Sequence, residues 1–177
     1  MNKEEARTFE IIGLKIRDYE TIFSEFDPRP HSYRSLSDDF LAEAEKATRE
    51  KKESLELVLL LPKASRDLGR EAIIKKRLKD HFAKHFVGLQ EDMSRIIKRG
   101  VFFVITGLIL MVLATLVIFR FHQTTLLSSL MIVILEPAGW FFFWEGLAQL
   151  VYDPGKKRPR LGFYKKMAKA EIKFGEY

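Results

Sequence analysis

The sequence predicts a small α/β or α+β cytoplasmic domain, with two to three strands and two to three helices, fused to a transmembrane helical hairpin. Three observations favour this fold class. Residues 1–99 are densely charged and include strand-like segments, residues 101–119 form an uncharged apolar run, and a second apolar run starts at residue 126. We therefore predict a cytoplasmic domain over 1–99, a hairpin over 100–153 and a basic cytoplasmic tail over 154–177.

The first domain opens with a predicted strand. In TFEIIGLKIR (8–17), apolar side chains alternate with polar ones, which is typical of a strand with one solvated face. DYETIFSEF (18–26) then has aromatic and apolar residues at helical spacing, so we predict a short helix there. A further helix is predicted in SDDFLAEAEKATREKK, with Ser35 or Ser37 as its cap and two acidic residues in its first turn.

Three further elements complete the predicted domain. LELVLLLP (55–62) is apolar at nearly every position, which predicts a central strand covered on both faces. From about Ser65 a helical pattern reaches Gly100, and we expect this helix to continue into the first span. The strand-helix-strand order predicts a parallel strand pair with a right-handed crossover. The terminal AEIKFGEY is a candidate third strand, and the basic segment before it has the pattern of an interfacial amphipathic helix.

The two apolar runs have the length of membrane spans. Residues 101–119 would extend ~28 Å as a helix, close to the thickness of the hydrocarbon layer, and the second span is predicted at about 126–150. Lys98 and Arg99 precede the first span, and a basic cluster follows the second. The positive-inside rule then places both termini in the cytoplasm and the protein in the inner, cytoplasmic membrane.

Charge and composition restrict the partners. Residues 1–99 carry 21 Lys and Arg against 19 Asp and Glu, whereas the tail carries 8 against 2, a surplus equal to the net charge of +6. We therefore expect the tail to contact anionic lipid headgroups, and we expect no nucleic-acid partner. The interface residues that we predict are aromatic or basic: Trp140, Trp144, Tyr152, Lys156, Lys157, Arg158 and Arg160.

Two carboxylates interrupt the second span. Glu136 lies near the middle of the predicted bilayer, where an acidic residue costs on the order of 3 kcal/mol, and Glu145 lies nearer the headgroups. Pro137 removes a helical amide, and Gly139 permits close approach of another helix. Two interpretations stay open: a carboxylate that lines an oligomeric pore or forms a proton-accepting site, or a protonated or hydrogen-bonded Glu that fixes helix packing. The nine-residue separation places the two glutamates on opposite sides of a helix.

The soluble segment offers one candidate surface and one pair of histidines. The loop that contains Asp27, Pro28, Pro30, Arg34 and Leu36 is the predicted partner-binding surface. His81 and His85 lie four residues apart, a spacing that can chelate zinc, although the Glu of a metalloprotease HExxH is missing. There is no cysteine, no GxSxG, no GxGxxG and no P-loop in the sequence, so we predict no cofactor.

Two families resemble parts of the sequence. The D-P-x-P segment of Asp27–Pro30, followed by Arg34-x-Leu36, and the G-W-x-x-x-W segment of 139–144, which leads to Tyr152-Asp153, resemble a family of uncharacterised small prokaryotic two-span membrane proteins. Gly146 stands where that family usually has proline. The resemblance implies a cytoplasmic α/β domain on a two-helix anchor. The Glu136-Pro137 pair also resembles the Glu-Pro of mitochondrial-type calcium uniporters, which lies early in the second of their two spans. Those proteins have an Asp three residues before the Glu, and this sequence has Val133 at that position.

These observations predict a non-enzymatic, homo-oligomeric membrane protein whose soluble domain binds another copy or an unknown protein partner. The alternatives are a small oligomeric ion channel or membrane-permeabilising effector with Glu136 at the pore, and a metal-dependent hydrolase that uses His81 and His85.

Overall fold

The part of the chain that the computed structural model describes, residues 10–51, 55–121 and 125–177, forms one sheet and three helices. Two short 3₁₀ turns, Glu20–Ile22 and Lys63–Ser65, connect some of them. The elements are β1 (Glu10–Lys15), α1 (Asp38–Thr48), β2 (Leu55–Leu61), α2 (Leu68–Phe121), α3 (Leu126–Lys169) and β3 (Glu171–Glu176). Contacts divide the chain into two compact units, one of Met1–Gly88 with Arg160–Tyr177 and the other of Leu89–Pro159.

The sheet of the first unit is entirely parallel, in the order β1-β2-β3. Ile12 pairs with Leu57, and Leu57 pairs with Ile172, so the three strands present the same face in register. The predicted parallel strand pair and the third strand at the terminus are both confirmed. A strand buried between two others satisfies all its backbone hydrogen bonds, which suits the apolar β2 segment.

One face of the sheet carries the core of the first unit. Leu55, Leu57, Leu59 and Leu61 are buried, and three helices cover them with apolar side chains. Those side chains are Phe40 and Ala44 of α1, Ile74, Leu78 and Phe82 of α2, and Phe163, Tyr164 and Met167 of α3.

The opposite face of the sheet remains partly open. The alternate β2 residues are only half-buried, and Ile11 of β1 is 64% exposed. The central position of β2 is confirmed, but the prediction that both its faces are covered is wrong. The strand order is sequential, and crossovers of the usual single hand would place the helices on the same side, so no described element is left for the other side.

The predicted helix over residues 18–26 is also wrong. Only one 3₁₀ turn forms, because the Asp18 carboxylate accepts the Thr21 amide at 3.0 Å and the chain is extended again at Phe23. There the backbone pairs with Leu36 in an isolated antiparallel bridge. This pairing leaves Phe26 at the tip of a loop, 97% exposed.

The helices differ in how their N-termini are capped, and the two long ones are continuous. Ser37 occupies the N-cap position of α1 but makes no side-chain cap bond within the described chain. Asp67 caps α2, since its carboxylate accepts the amides of Gly69 and Arg70 at 2.9 and 3.1 Å. As predicted, α2 continues without interruption into the apolar run, for 54 residues in all. α3 is continuous over 44 residues despite three internal prolines.

Candidate functional site

Within the unit Leu89–Pro159, α2 and α3 approach each other backbone to backbone. A Cβ built on Gly107 would lie 2.5 Å from the Phe143 amide nitrogen, and one on Gly146 would lie 2.6 Å from the Val104 nitrogen. Gly139 faces Gly107 in the same way. Along this contact the residue number rises on α2, from Val104 to Gly107, while it falls on α3, from Gly146 to Gly139, so the helices run antiparallel. We call these parts of α2 and α3 the helix pair.

The close approach depends on glycines spaced by one heptad. Gly100 and Gly107 are seven residues apart on α2, and Gly139 and Gly146 are seven apart on α3. A heptad repeat keeps one seam of each helix directed at its neighbour. Small residues at such a seam let backbones pack closely, which is the main source of helix association where water is excluded. The expectation that Gly139 permits a close helix contact agrees with this geometry.

The outer surface of the helix pair is apolar. α2 and α3 are both long and apolar enough to cross a membrane. Only 11% of the most apolar stretch of α2 and 17% of that of α3 is buried, which differs from the largely buried core helix of a soluble protein. The predicted interface aromatics Trp140, Trp144 and Tyr152 are 58%, 65% and 66% exposed. Of the basic residues predicted beside them, Lys156, Arg158 and Arg160 are exposed and Lys157 is half-buried.

The two glutamates of α3 have different environments. Gln149 donates from Nε2 to the Glu145 carboxylate at 3.0 Å, and Glu145 is half-buried. Glu136 is exposed and has no hydrogen-bond or ion-pair partner among the described residues. It lies on the outward surface beside Val133 and Trp140, which are 68% and 58% exposed. The apolar surface therefore carries a carboxyl group that no described residue of its own chain satisfies.

Pro137 adds an unsatisfied backbone group next to Glu136. It lies inside α3 and has no amide hydrogen. The Val133 carbonyl, four residues earlier, thus lacks its helical donor, and the proline ring forces it away from the helix axis. Val133, Glu136 and Pro137 are all exposed. One helix face therefore presents a carboxyl group and a free carbonyl oxygen about one turn apart.

The predicted partner-binding loop is stabilised by its own side chains. Arg29 donates to the Asp27 carboxylate from Nε at 2.9 Å and from Nη2 at 2.7 Å, and the Ser35 amide donates to it at 2.7 Å. The Arg29 guanidinium holds the pKa of Asp27 well below its ordinary value. Arg34 forms an ion pair with Glu20 and donates to the Ser24 carbonyl at 3.0 Å.

The loop exposes residues other than most of those that the sequence singled out. Leu36 is buried in the core at 5% exposure, and Asp27 and Arg34 are half-buried within the loop network. Pro28 and Pro30 are exposed, together with Phe26 and Tyr33, at 97% and 70% exposure. The structure thus combines a hydrogen-bonded polar network with an exposed aromatic and proline surface.

His81 and His85 lie side by side on α2, with ring centroids 4.3 Å apart, and His85 stacks on Tyr164 at 5.2 Å. His81 Nε2 is buried and has no hydrogen-bond partner among the described residues. Burial, with the neighbouring His85 and Arg77 charges, lowers the pKa of His81 to about 4. The described residues contain no group of three or more potential metal ligands, so the pair has no third ligand there.

One polar cluster was not foreseen from the sequence. The Tyr19 hydroxyl donates to the Glu71 carboxylate at 3.0 Å and accepts the Asp67 amide at 2.8 Å. Arg66 donates to both Glu71 oxygens, at 2.9 and 3.0 Å, and lowers the pKa of Glu71. Tyr19 and Glu71 are 52 residues apart, and no sequence spacing predicts their meeting. The heptad glycines, in contrast, could have been found from their spacing.

No protein-family model, curated protein or solved structure matches the chain. The resemblance to small prokaryotic two-span membrane proteins stays a prediction, and the candidate site must be interpreted from its own geometry.

Proposed function

We propose that the protein is a non-enzymatic integral membrane protein that assembles with copies of itself, and that its first unit serves self-association or the binding of a protein partner. α2 and α3 would be its two antiparallel spans. The exposed apolar stretches of these two helices support this proposal, because so large an apolar surface is stable only against lipid or another protein.

The charge pattern supports an orientation. Lys98 and Arg99 flank the apolar part of α2, and Lys156, Lys157, Arg158 and Arg160 flank that of α3. We propose that these ends face the cytoplasm, that both termini lie there, and that the membrane is the inner, cytoplasmic one. The same basic residues would then contact anionic headgroups.

The observation that carries the oligomer proposal is the outward-facing Glu136, for which the described part of the chain offers no partner. Ionisable side chains within a membrane face protein or water and pair with another polar group. Glu145 meets this requirement through Gln149 of its own chain, whereas Glu136 finds no such group within residues 10–51, 55–121 and 125–177. A second copy is the simplest source of the missing partner, since every copy exposes the same face.

The aromatic and proline surface of the loop supports a binding role for the first unit. Phe26 and Tyr33 are too exposed to stabilise their own chain, yet the Asp27 network holds the loop in one conformation. Rigid aromatic side chains on a preorganised loop favour protein recognition, because little conformational entropy is lost on binding.

The test is sedimentation followed by mass measurement. Membranes are washed with alkaline carbonate and dissolved in mild detergent, and the molar mass of the protein is determined by light scattering at several concentrations. The proposal predicts that the protein remains in the carbonate pellet and gives a mass above one 20.7 kDa chain. A protein found in the supernatant would contradict the membrane assignment, and a monomer at every concentration would contradict the oligomer.

A pore is the second candidate function. Its support is that Glu136 and the free Val133 carbonyl share one exposed face, as oxygen ligands of an ion path would. In liposomes, Glu136→Gln would then lower cation flux strongly, while Glu145→Gln would change it little. Equal flux through the wild type and Glu136→Gln would contradict the pore.

A further inference from the structure

We propose that Glu136 of one copy, as the protonated acid, donates a hydrogen bond to the Val133 carbonyl of a second copy, which Pro137 leaves free. The inference rests on the proposed self-association and names the contact that would hold two copies together. It assigns the carboxyl group a donor role in assembly, whereas the pore candidate requires a charged carboxylate.

The first step is the donor. A charged carboxylate in an apolar surrounding is far less stable than its neutral form, and the neutral form carries an O–H. Glu136 is exposed on the apolar surface between Val133 and Trp140 and lacks a partner among the described residues. Its protonated carboxyl group would therefore need an acceptor from outside its chain.

The second step is the acceptor. The backbone carbonyls of a helix interior normally accept amides four residues on, and an unpaired one in an apolar medium is unfavourable by several kcal/mol on general grounds. Pro137 removes that amide for Val133 alone within this turn of α3. Val133 is 68% exposed, so it lies on the surface that a neighbouring helix would contact.

The third step is that donor and acceptor lie at the same level. Side chains of a helix point back toward its N-terminus, so the Glu136 carboxyl group lies beside the preceding turn, which contains Val133. Two copies inserted with the same orientation, related by an axis along the membrane normal, bring this level of each α3 together. Glu136 of each copy then reaches the Val133 carbonyl of the other copy. The two-fold axis produces two equivalent hydrogen bonds, which satisfy both carboxyl groups and both carbonyl groups. A second copy fits this face because the face is complementary to itself.

The assay measures association in vesicles by energy transfer. The chain contains no cysteine, so one cysteine added after Tyr177 labels each copy with donor or acceptor dye. Diluting the labelled protein with lipid gives an apparent dissociation constant. Glu136→Ala removes the donor and should weaken association about tenfold, in line with interhelical hydrogen bonds in membranes. Glu136→Gln retains a donor and should stay within about threefold of the wild type.

Pro137→Ala tests the acceptor. It restores the helical amide, which occupies the Val133 carbonyl, and it should weaken association about as much as Glu136→Ala. Glu145→Ala is the matched control, since it removes a carboxylate on the opposite side of α3 that Gln149 already satisfies, and it should leave association unchanged. Helix content of each variant is checked by circular dichroism.

The outcomes separate the inference from the function beneath it. No energy transfer in the wild type at any dilution contradicts self-association itself. Association of the wild type that equals that of Glu136→Ala contradicts only the hydrogen bond, and indicates that Glu136 bonds within its own chain or to water. Loss in Glu136→Gln as large as in Glu136→Ala overturns the donor role and favours a charged carboxylate.

Discussion

Gly107 and Gly139 face each other so closely that a methyl group on Gly107 would lie 2.8 Å from the Gly139 carbonyl oxygen. The same group would lie 2.5 Å from the Phe143 amide nitrogen. Both neighbours are backbone atoms, which cannot rotate away as a side chain can. The helix pair therefore has no room for any side chain at this position, and its stability depends on the two helices keeping this separation.

We expect Gly107→Ala to destabilise the helix pair by about 1–3 kcal/mol, because overpacking at backbone contacts forces the helices apart. The measurement is thermal unfolding in mild detergent. Gly88→Ala is the control on the same helix, since a Cβ at Gly88 meets nothing within 4 Å. That substitution should be neutral or stabilising by up to about 1 kcal/mol through helix propensity. An equal melting temperature for Gly107→Ala and the wild type would contradict the packing argument.

We expect Tyr19→Phe to lower the free energy of unfolding by about 1–3 kcal/mol. The substitution leaves the buried Glu71 carboxylate without one donor and the Asp67 amide without its acceptor. The measurement is denaturant unfolding of the full chain in detergent, followed by circular dichroism. Tyr33→Phe removes a hydroxyl from a side chain that is 70% exposed, and it should change stability by less than about 0.5 kcal/mol. Equal losses in the two variants would argue against the buried cluster.

We expect stability to fall as the pH falls from about 6.5 to 4, because of His81. Its pKa is lowered to about 4 in the folded protein by burial, from an ordinary value of 6.5, so the unfolded chain binds the proton first within this window. The contribution of neutral His81 to the free energy of unfolding is therefore fully present above pH 6.5. As the pH falls to 4, the loss of that contribution reaches on the order of 1–2 kcal/mol after solvent screening is taken into account.

His81→Phe tests that expectation, because it retains the ring contacts with His85 and Tyr164 and removes the titrating group. The difference in unfolding free energy between pH 7 and pH 5 should become smaller in the variant. An unchanged difference would assign the pH dependence to other groups.

We expect Asp27→Ala to open the loop to proteolysis. Without the carboxylate, the Arg29 guanidinium and the Ser35 amide lose their shared acceptor, and the chain near Arg34 is freed. Limited trypsin digestion, followed by mass spectrometry, should show faster cleavage after Arg34. Asp39→Ala, which changes an exposed aspartate on α1, should digest like the wild type. Resistance of Asp27→Ala would show that the prolines alone hold the loop.

The spacing of apolar residues predicted the strands β1 and β2, in which the pattern itself shows which side chains must be buried. The alternation around Ile12 and the apolar run of β2 are sufficient for a strand, since the residues that must be buried lie on stated faces. The helix predicted around Phe26 failed because its apolar spacing was real but its backbone pairs with a distant segment at Leu36 instead. Local spacing reports which side chains can be buried, and it does not report which backbone groups will pair.

The candidate site divides in the same way. Glu136, Pro137 and Gly139 could be selected from the sequence, because an acid and a proline in an apolar run are unusual by composition alone. The direction in which each of these residues faces could not be predicted from the sequence. Gly139 turns inward against Gly107, and Glu145 is satisfied by Gln149, whereas Glu136 is exposed and has no partner in the described segments. The loop residue Leu36, selected as a contact surface, is buried in the core, and the exposed aromatic residues beside it were not selected.

The amino-acid sequence by itself determined that this chain has a charged α/β segment and two helices apolar enough to cross a membrane. Charge and hydropathy are additive along a chain, so composition and period are sufficient to find them. Only the tertiary structure decided which glycines meet, that the described helices of the first unit cover one face of the sheet, and that Glu136 has no partner among the residues described. Those properties depend on contacts between residues far apart in sequence, where the geometry of two elements, and not the pattern of either, sets the outcome.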